Sequence, residues 1–349
     1  MLSLRDLNRA TLARQHLLSR HQGNAADVVH RLAGLQAQEP RPPYLAVWTR
    51  LEGFQRDDLH AALHARTLVR ATLWRATLHL VTAADFTAFR PEVAPVLAAA
   101  ARRFDGIDFD AVVAAADRLL AAGPMTFNEL RPRLLAEFPG AYDRALGYAV
   151  RMLTPLIMEP TEDRWSFPRE AAFGLPGIEP APAGRPALIE RYLAAFGPAT
   201  PADVQTWSGL NGLRKVMEGM ELDRVTDFAG RELFDLPGAP RPGGDVPAPV
   251  RFLPDFDTLI LGHADRTRVL ADEHKNRVAT KNLRVRAVYL VDGFAAGTWQ
   301  IKRSGKKAKL LVSPFGPAGL EPLEEEGLRL LAFAEPDAAT RSLELADQV

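Results

Sequence analysis

Gly123-Pro124-Met125-Thr126 and Gly197-Pro198-Ala199-Thr200 stand 74 residues apart, each just after a helical pattern, Ala111 to Ala122 and Ala187 to Phe196. In both places the glycine and proline end one helix and the threonine opens another. Thr126 with Glu129 fits a capping box, and Thr200 caps a helix whose first residue is Pro201. A third helical pattern follows each time, over Tyr142 to Leu153 and Gly212 to Met220. Paired short strand patterns come next, Leu156 to Glu159 with Arg164 to Phe167, and Arg224 to Phe228 with Arg231 to Leu236. Helix, turn, helix, helix, hairpin is the order of a winged helix.

Toward the N-terminus the same order recurs with more helix. Leu4 to Leu18 and Ala25 to Leu35 carry apolar residues at a 3.6-residue period, Pro43 to Leu51 reads as a short buried helix, and Asp57 to His64 as another. Leu68 to Leu73 and Thr77 to Val81 are then β-rich, with Trp74-Arg75-Ala76 between them as a wing, before helices resume at Ala83. Toward the C-terminus, the proline- and glycine-rich stretch Leu236 to Pro249 reads as a linker. Beyond it Val285 to Val291, Phe294 to Ile301 and Ala308 to Ser313 form an antiparallel pattern with turns at Asp292-Gly293 and Ser304-Gly305-Lys306. The expected fold is therefore α+β: three tandem winged-helix units over 1–104, 105–184 and 185–240, then a C-terminal antiparallel, barrel-like β domain over 241–349.

The chain has 349 residues, 47% of them hydrophobic, enough for several cores. Its 43 basic and 43 acidic residues balance, so net charge selects no partner. Local charge does. From Arg266 to Lys309 there are twelve Lys/Arg against three Asp/Glu, and Lys302, Arg303, Lys306, Lys307 and Lys309 crowd one hairpin tip. Such a patch is either a solvated surface or the electrostatic footprint of a phosphate backbone, and a basic hairpin with glycine at its turn can enter a groove. The tail from Gly319 to Val349 compensates with eight acids and two bases.

Absent residues narrow the chemistry. There is no cysteine, which excludes disulfides, thiolate nucleophiles and cysteine-ligated metal. Neither a Walker A loop nor a GxGxxG after a strand is present. The N-terminus lacks a secretory signal pattern and no apolar run is long enough to span a bilayer, so a cytoplasmic protein with no membrane partner is expected. His60 and His64 are four apart beside Asp57 and Asp58, but no glutamate lies within the pair and the sequence offers no third ligand; no metal and no cofactor are expected.

The best candidate for chemistry is Gly34-Leu35-Gln36-Ala37-Gln38-Glu39-Pro40. On a helix Gln36 and Gln38 would point about 200° apart. Pro40 disfavours helix at Glu39, so the helix begun near Ala25 should fray by about Gln36 and leave both amides on one side of an extended segment. The plain alternative is a pair of solvated glutamines at a helix end. With Leu7-Asn8-Arg9-Ala10 and Ala13-Arg14-Gln15 before it, and Pro43-Tyr44-Leu45-Ala46-Val47-Trp48 and Thr77-Leu78-His79-Leu80-Val81 after it, the motif resembles the bacterial winged-helix DNA glycosylases, the AlkZ-like branch included. Pro254-Asp255-Phe256-Asp257 and His263-Ala264-Asp265-Arg266 also look like the family, without a derived role.

The resemblance implies that Gln36 and Gln38 line a catalytic pocket, whereas a sister branch carries aspartate at the second position. It implies a DNA glycosylase that hydrolyses N7-alkylated purines, bulky or crosslinked, in duplex DNA and leaves an abasic site, acting as a monomer. By the same resemblance His79 borders the site; a structural histidine bonded to backbone explains it equally well. DNA binding is assigned to His79, Lys302, Arg303, Lys306 and Lys307. Glu39 reads as a solvated charge. No lysine precedes Lys215, so Schiff-base lyase chemistry is disfavoured. The alternative function is a winged-helix regulator or architectural protein without catalysis, in which the glutamines contact phosphate or adenine edges.

Overall fold

The computed structural model describes residues 1–104, 106–280, 284–317 and 319–346, so Lys281 of the basic stretch lies outside the described residues. The first part of the chain runs α1 Leu4–Arg14, α2 Ala25–Arg31, β1 Leu35–Gln36, α3 Arg41–Trp48, α4 Arg56–His64, β2 Leu68–Thr72, β3 Leu78–Thr82, α5 Ala83–Phe89 and α6 Ala94–Ala101. The middle runs α7 Phe109–Leu120, α8 Phe127–Glu137, α9 Asp143–Leu153, β4 Ile157–Met158, β5 Phe173–Gly174, α10 Gly184–Phe196, α11 Pro201–Ser208, α12 Leu213–Glu218, β6 Asp223–Thr226 and β7 Glu232–Asp235. The last part comprises β8 Arg251–Leu253, α13 Thr258–Leu261, α14 Lys275–Val278, β9 Val288–Val291, β10 Phe294–Ser304, β11 Lys307–Pro314, α15 Glu321–Ala334 and β12 Thr340–Leu345. The architecture is α+β, and no helix among the described residues is long and apolar enough to cross a membrane.

The two tetrapeptides do what their chemistry requires. Thr126 and Thr200 each close a capping box, with Glu129 and Asp203 respectively. The residue before each threonine forms an antiparallel bridge to a strand further on, Met125 with Phe173 and Ala199 with Phe234. One hairpin differs from expectation. β4 pairs with Phe173–Gly174 and not with Arg164 to Phe167, because Thr161 to Ser166 closes on itself: Thr161 N–H donates to Ser166 O at 2.7 Å and Ser166 N–H to Asp163 O at 2.7 Å.

Five strands form the sheet that carries the glutamine motif, in the order β1-β3-β2-β4-β5 and antiparallel throughout. It draws on both the first and the middle parts of the chain. Alternation along these strands gives the sheet two buried faces. Leu35, Leu78, Leu80, Met158 and Phe173 join a core with α2, α3 and α4, whereas Val69, Ala71, Val81 and Ile157 join a second core with Trp74, Tyr192 and Trp207.

The C-terminal sheet corrects the sequence reading. Its order is β12-β11-β10-β9-β8; β8 to β11 are antiparallel, but β12 lies parallel to β11. The expected antiparallel barrel is thus an open, mixed sheet among the described residues. A parallel neighbour needs a crossover, and α15 supplies it.

Long-range ion pairs bind α1 and the first part of the chain to the rest. Arg14 forms a two-pronged pair with Asp235 at 2.7 and 2.8 Å, and Arg50 another with Asp257 at 2.9 and 2.8 Å; all four side chains are fully enclosed. Removing one member of such a pair strands a buried charge, at a cost of about 3–5 kcal/mol. Asn8 donates to the Arg268 and Gly293 carbonyls, and Gln15 to that of Ala195. The N-terminal residues that carried the family resemblance are therefore clamps, and Asp257 gains a role that its sequence did not disclose.

Candidate active site

The extended segment around Gln36 and Gln38 exists, but for a different reason from the one expected. α2 ends at Arg31, and the chain turns through left-handed backbone at Ala33 and Gly34, with φ 54° and 91°. Gly34 N–H reaches back to Val29 O at 3.0 Å, which closes the helix end. A Cβ on Gly34 would stand 2.6 Å from Val81 Cγ1, so a glycine is required both by φ and by the close approach of β3. Pro40 starts the next helix and does not end this one.

β1 then pairs with β3, placing Gln36 opposite His79, and Ala37 N–H donates to Leu78 O at 2.7 Å. Both glutamine carbonyls are pinned. Gln36 Oε1 accepts from Arg75 Nη2 at 2.9 Å, and Gln38 Oε1 accepts from the Leu78 N–H at 2.7 Å. Each donor fixes which end of its amide is which, so each NH2 group is left without a protein acceptor among the described residues.

Arg75 is itself held from elsewhere. It lies in the turn Trp74–Ala76, which is packed inside and is no projecting wing: Trp74 is 1% exposed, its indole donates to Ala33 O, and its ring lies 4.2 Å from that of Trp207. Arg75 Nη1 donates to Trp207 O at 2.6 Å. α11 thereby holds the arginine that holds Gln36.

Gln38 is exposed and lines a cavity of about 410 Å³ with Glu39, Arg70, Asn128, Arg151 and Phe173. Gln36, at 9% exposure, is turned to Arg75 and is not in that lining. Arg70 sits beneath the motif, donating to Ala37 O at 2.8 Å and Gln38 O at 3.2 Å. Burial and then Arg151 lower the pKa of Arg70 to about 10, and burial followed by Arg266 does the same to Arg75; both stay cationic at neutral pH. Glu39 lines this cavity and a second one of about 580 Å³, shared with Arg41, Asp255, Arg284, Arg286 and Gln300. That second cavity joins the end of the glutamine motif to the base of the basic hairpin.

His79, assigned to DNA binding, is 1% exposed, and its Nδ1 donates to Thr77 O at 3.0 Å. Burial, then the Arg75 charge, lower its pKa to about 3, so it is neutral. Enclosed in this way it supports the sheet opposite Gln36; a direct contact with DNA is not open to it in this conformation.

At the hairpin Lys302, Arg303, Lys306 and Lys307 are all exposed. Arg303 is tied down, with Glu335 at 3.5 Å and the carbonyls of Gly305 and Asp337 accepting from it, and Lys309 pairs with Glu344 at 2.9 Å. Lys302, Lys306 and Lys307 have no ion-pair partner among the described residues. Neither Arg70 nor Arg75 stands out in the sequence. A lone arginine in a strand or turn carries no motif, and only the strand order β1-β3-β2 brings them under the glutamines.

The chain matches the family of DNA glycosylases described as AlkZ-like over residues 29–333. It is 30% identical, over 332 residues, to an interstrand DNA cross-link repair glycosylase of Streptomyces sahachiroi, covering 87% of this chain and 88% of that one. The DNA glycosylase AlkZ of the same organism superimposes with a TM-score of 0.78 at 24% identity, over 99% of this chain and 100% of that one, which shows a shared fold. The chain belongs to the AlkZ-like DNA glycosylase family.

Proposed function

We propose that the chain is a monofunctional DNA glycosylase that hydrolyses the N-glycosidic bond of N7-alkylated purines, bulky or crosslinked, and leaves an abasic site. The observation that carries this reading is the pair of glutamines whose carbonyls are pinned and whose NH2 groups are free. The crosslink preference is supported by the name of the Streptomyces sahachiroi relative. In the same reading the chain works as a cytoplasmic monomer built of three winged-helix units, 1–104, 105–184 and 185–240, and a β domain over 241–349 that carries the hairpin.

An N7-alkylpurine already bears a positive charge. When the bond from C1′ to N9 breaks, the electron pair moves into the base and neutralises it, so the leaving group needs no added proton. The sugar becomes an oxocarbenium ion and water adds to C1′. Orientation of that water matters more than a strong base. The free NH2 of Gln38, which lines the cavity, can donate to the water oxygen, and the remaining lone pair of its pinned carbonyl can accept one of its protons; Gln36, turned to Arg75 outside that lining, shares this role where bound DNA opens the site toward it. An amide is too weak a base to keep that proton, which passes to solvent after the C–O bond forms. Arg70 and Arg151, which line the cavity, would oppose a sugar cation by themselves; they suit the phosphates that accompany it, whereas Arg75 is engaged by Gln36 and Trp207.

The test is incubation with duplexes bearing small, bulky and interstrand-crosslinked N7-alkylguanine, followed by hot alkali. Strand scission at the adduct is expected, greatest for bulky adducts. No scission above a no-enzyme control on any substrate would sink the reading. Borohydride trapping should give no covalent protein–DNA adduct, since the motif has no lysine near it in sequence.

A further inference from the structure

We infer that His60, His64 and Glu162 form a binding site for a divalent transition-metal cation of the zinc class. The histidines stand one turn apart on α4 with their rings 4.3 Å apart, which the sequence already suggested. The third ligand comes from the loop between β4 and β5. His60 Nε2 lies 3.3 Å from one Glu162 carboxylate oxygen and His64 Nε2 lies 3.7 Å from the other. One ligand atom from each residue falls within 4.8 Å of the other two. Two corners of a tetrahedron with metal bonds of about 2.0–2.1 Å are about 3.3–3.4 Å apart, so His60 and Glu162 already stand at ligand spacing, and His64, within 4.8 Å of the shared set, closes by rotation of its exposed ring.

A further contact orients the ligand. His60 Nδ1 is 3.0 Å from Ser166 Oγ, which in turn bonds the Tyr44 hydroxyl, and both Ser166 and Tyr44 are buried. With Nδ1–H donating to Ser166, Nε2 presents its lone pair to the Glu162 carboxylate. In that tautomer two electron-rich atoms face each other, and a cation between them makes the arrangement attractive. Metal-bound histidines have their second nitrogen held in the same manner.

The donor set selects the ion. Two imidazoles and one carboxylate suit Zn²⁺, Ni²⁺ or Cu²⁺; Mg²⁺ and Ca²⁺ take oxygen ligands in larger number. No cysteine competes for the metal. The histidine side chains are 27% and 37% exposed, which leaves a route for entry and a fourth position for water. None of the three residues lines the cavity beside Gln38, so the consequence is mechanical: the ion would fasten α4 to the loop carrying Trp165, whose ring Arg41, Arg56 and Arg164 each approach.

The full chain, stripped with chelator, is titrated calorimetrically with Zn²⁺ and with Mg²⁺, and Co²⁺ is followed by visible absorption. One equivalent of Zn²⁺ should bind, Tm should rise and saturate, Co²⁺ should give tetrahedral bands, and Mg²⁺ should give no heat. His64→Ala and Glu162→Gln should each weaken Zn²⁺ at least tenfold, and Ser166→Ala by about tenfold. Because His64 and Glu162 are exposed, their metal-free variants should melt like the parent. Absence of Zn²⁺ binding tighter than about 1 mM, or equal binding by the His64→Ala and Glu162→Gln variants, would overturn the site.

Discussion

The extended segment bearing Gln36 and Gln38 and the hairpin bearing Lys302, Lys306 and Lys307 both serve DNA in the proposed function, yet they are built in opposite ways. Every carbonyl of the glutamine pair is bonded to a donor that is itself fixed: Leu78 by the sheet, Arg75 by Trp207. The hairpin lysines are exposed and without ion-pair partners among the described residues. Chemistry at one bond requires groups held in place before the substrate arrives, whereas attraction to a phosphate chain tolerates movement. In the proposed function this difference would separate catalysis from affinity within one chain.

The contrast breaks if the two regions exchange effects. Gln36→Ala and Gln38→Ala should each slow single-turnover excision by about 10- to 1000-fold, with affinity for undamaged duplex unchanged. The double variant should lose less than the product of the two, since both amides serve one transition state. Arg75→Met should act on rate alone, because it frees Gln36 to rotate; a change in affinity with an unchanged rate would reassign the strand to binding.

Three histidines, His79 opposite Gln36 among them, give the fold an acid signature. His79 and His263 have pKa values lowered to about 3, and His16 to about 4, mainly by burial. Each unfolded ring takes up a proton near pH 6.5 while the folded one does not, so the stability they contribute is complete above about pH 6.5 and falls as the pH drops toward the folded values. All three act in the same direction, which gives stability a positive slope with pH below about pH 6.5. His79→Gln should flatten that slope by about 1.4 kcal/mol per pH unit. Urea unfolding at pH 7.5, 6 and 5 measures it, and an unchanged slope would place the ring in water.

The smallest effects belong to the hairpin. Lys302→Ala, Lys306→Ala and Lys307→Ala should each flatten the plot of log affinity against log salt by about 0.9, equally for damaged and undamaged duplex. Arg303→Ala should do less, as its guanidinium is already engaged by Glu335 and two carbonyls. Measurement at several salt concentrations decides. Unchanged slopes would remove the hairpin from the interface.

The sequence by itself determined the local elements and the family. Capping at Thr126 and Thr200, the hairpin of β6 and β7, the basic turn at Gly305 and the glutamine motif all depend on neighbours a few residues away, so their chemistry is legible in order. Only the tertiary structure decided what faces what. Arg75 reaches Gln36 across 39 residues, Arg70 supports Ala37 across 33, and Glu162 meets His60 across 102, because strand pairing and loop closure choose those partners. The same holds for the parallel entry of β12, which depends on α15 packing back over its own sheet, and for Phe173 replacing Phe167 beside β4. Side chains that act at a distance in sequence carry no local signal, since one arginine or glutamate in a strand or loop is compatible with many neighbours until the backbone has closed around it.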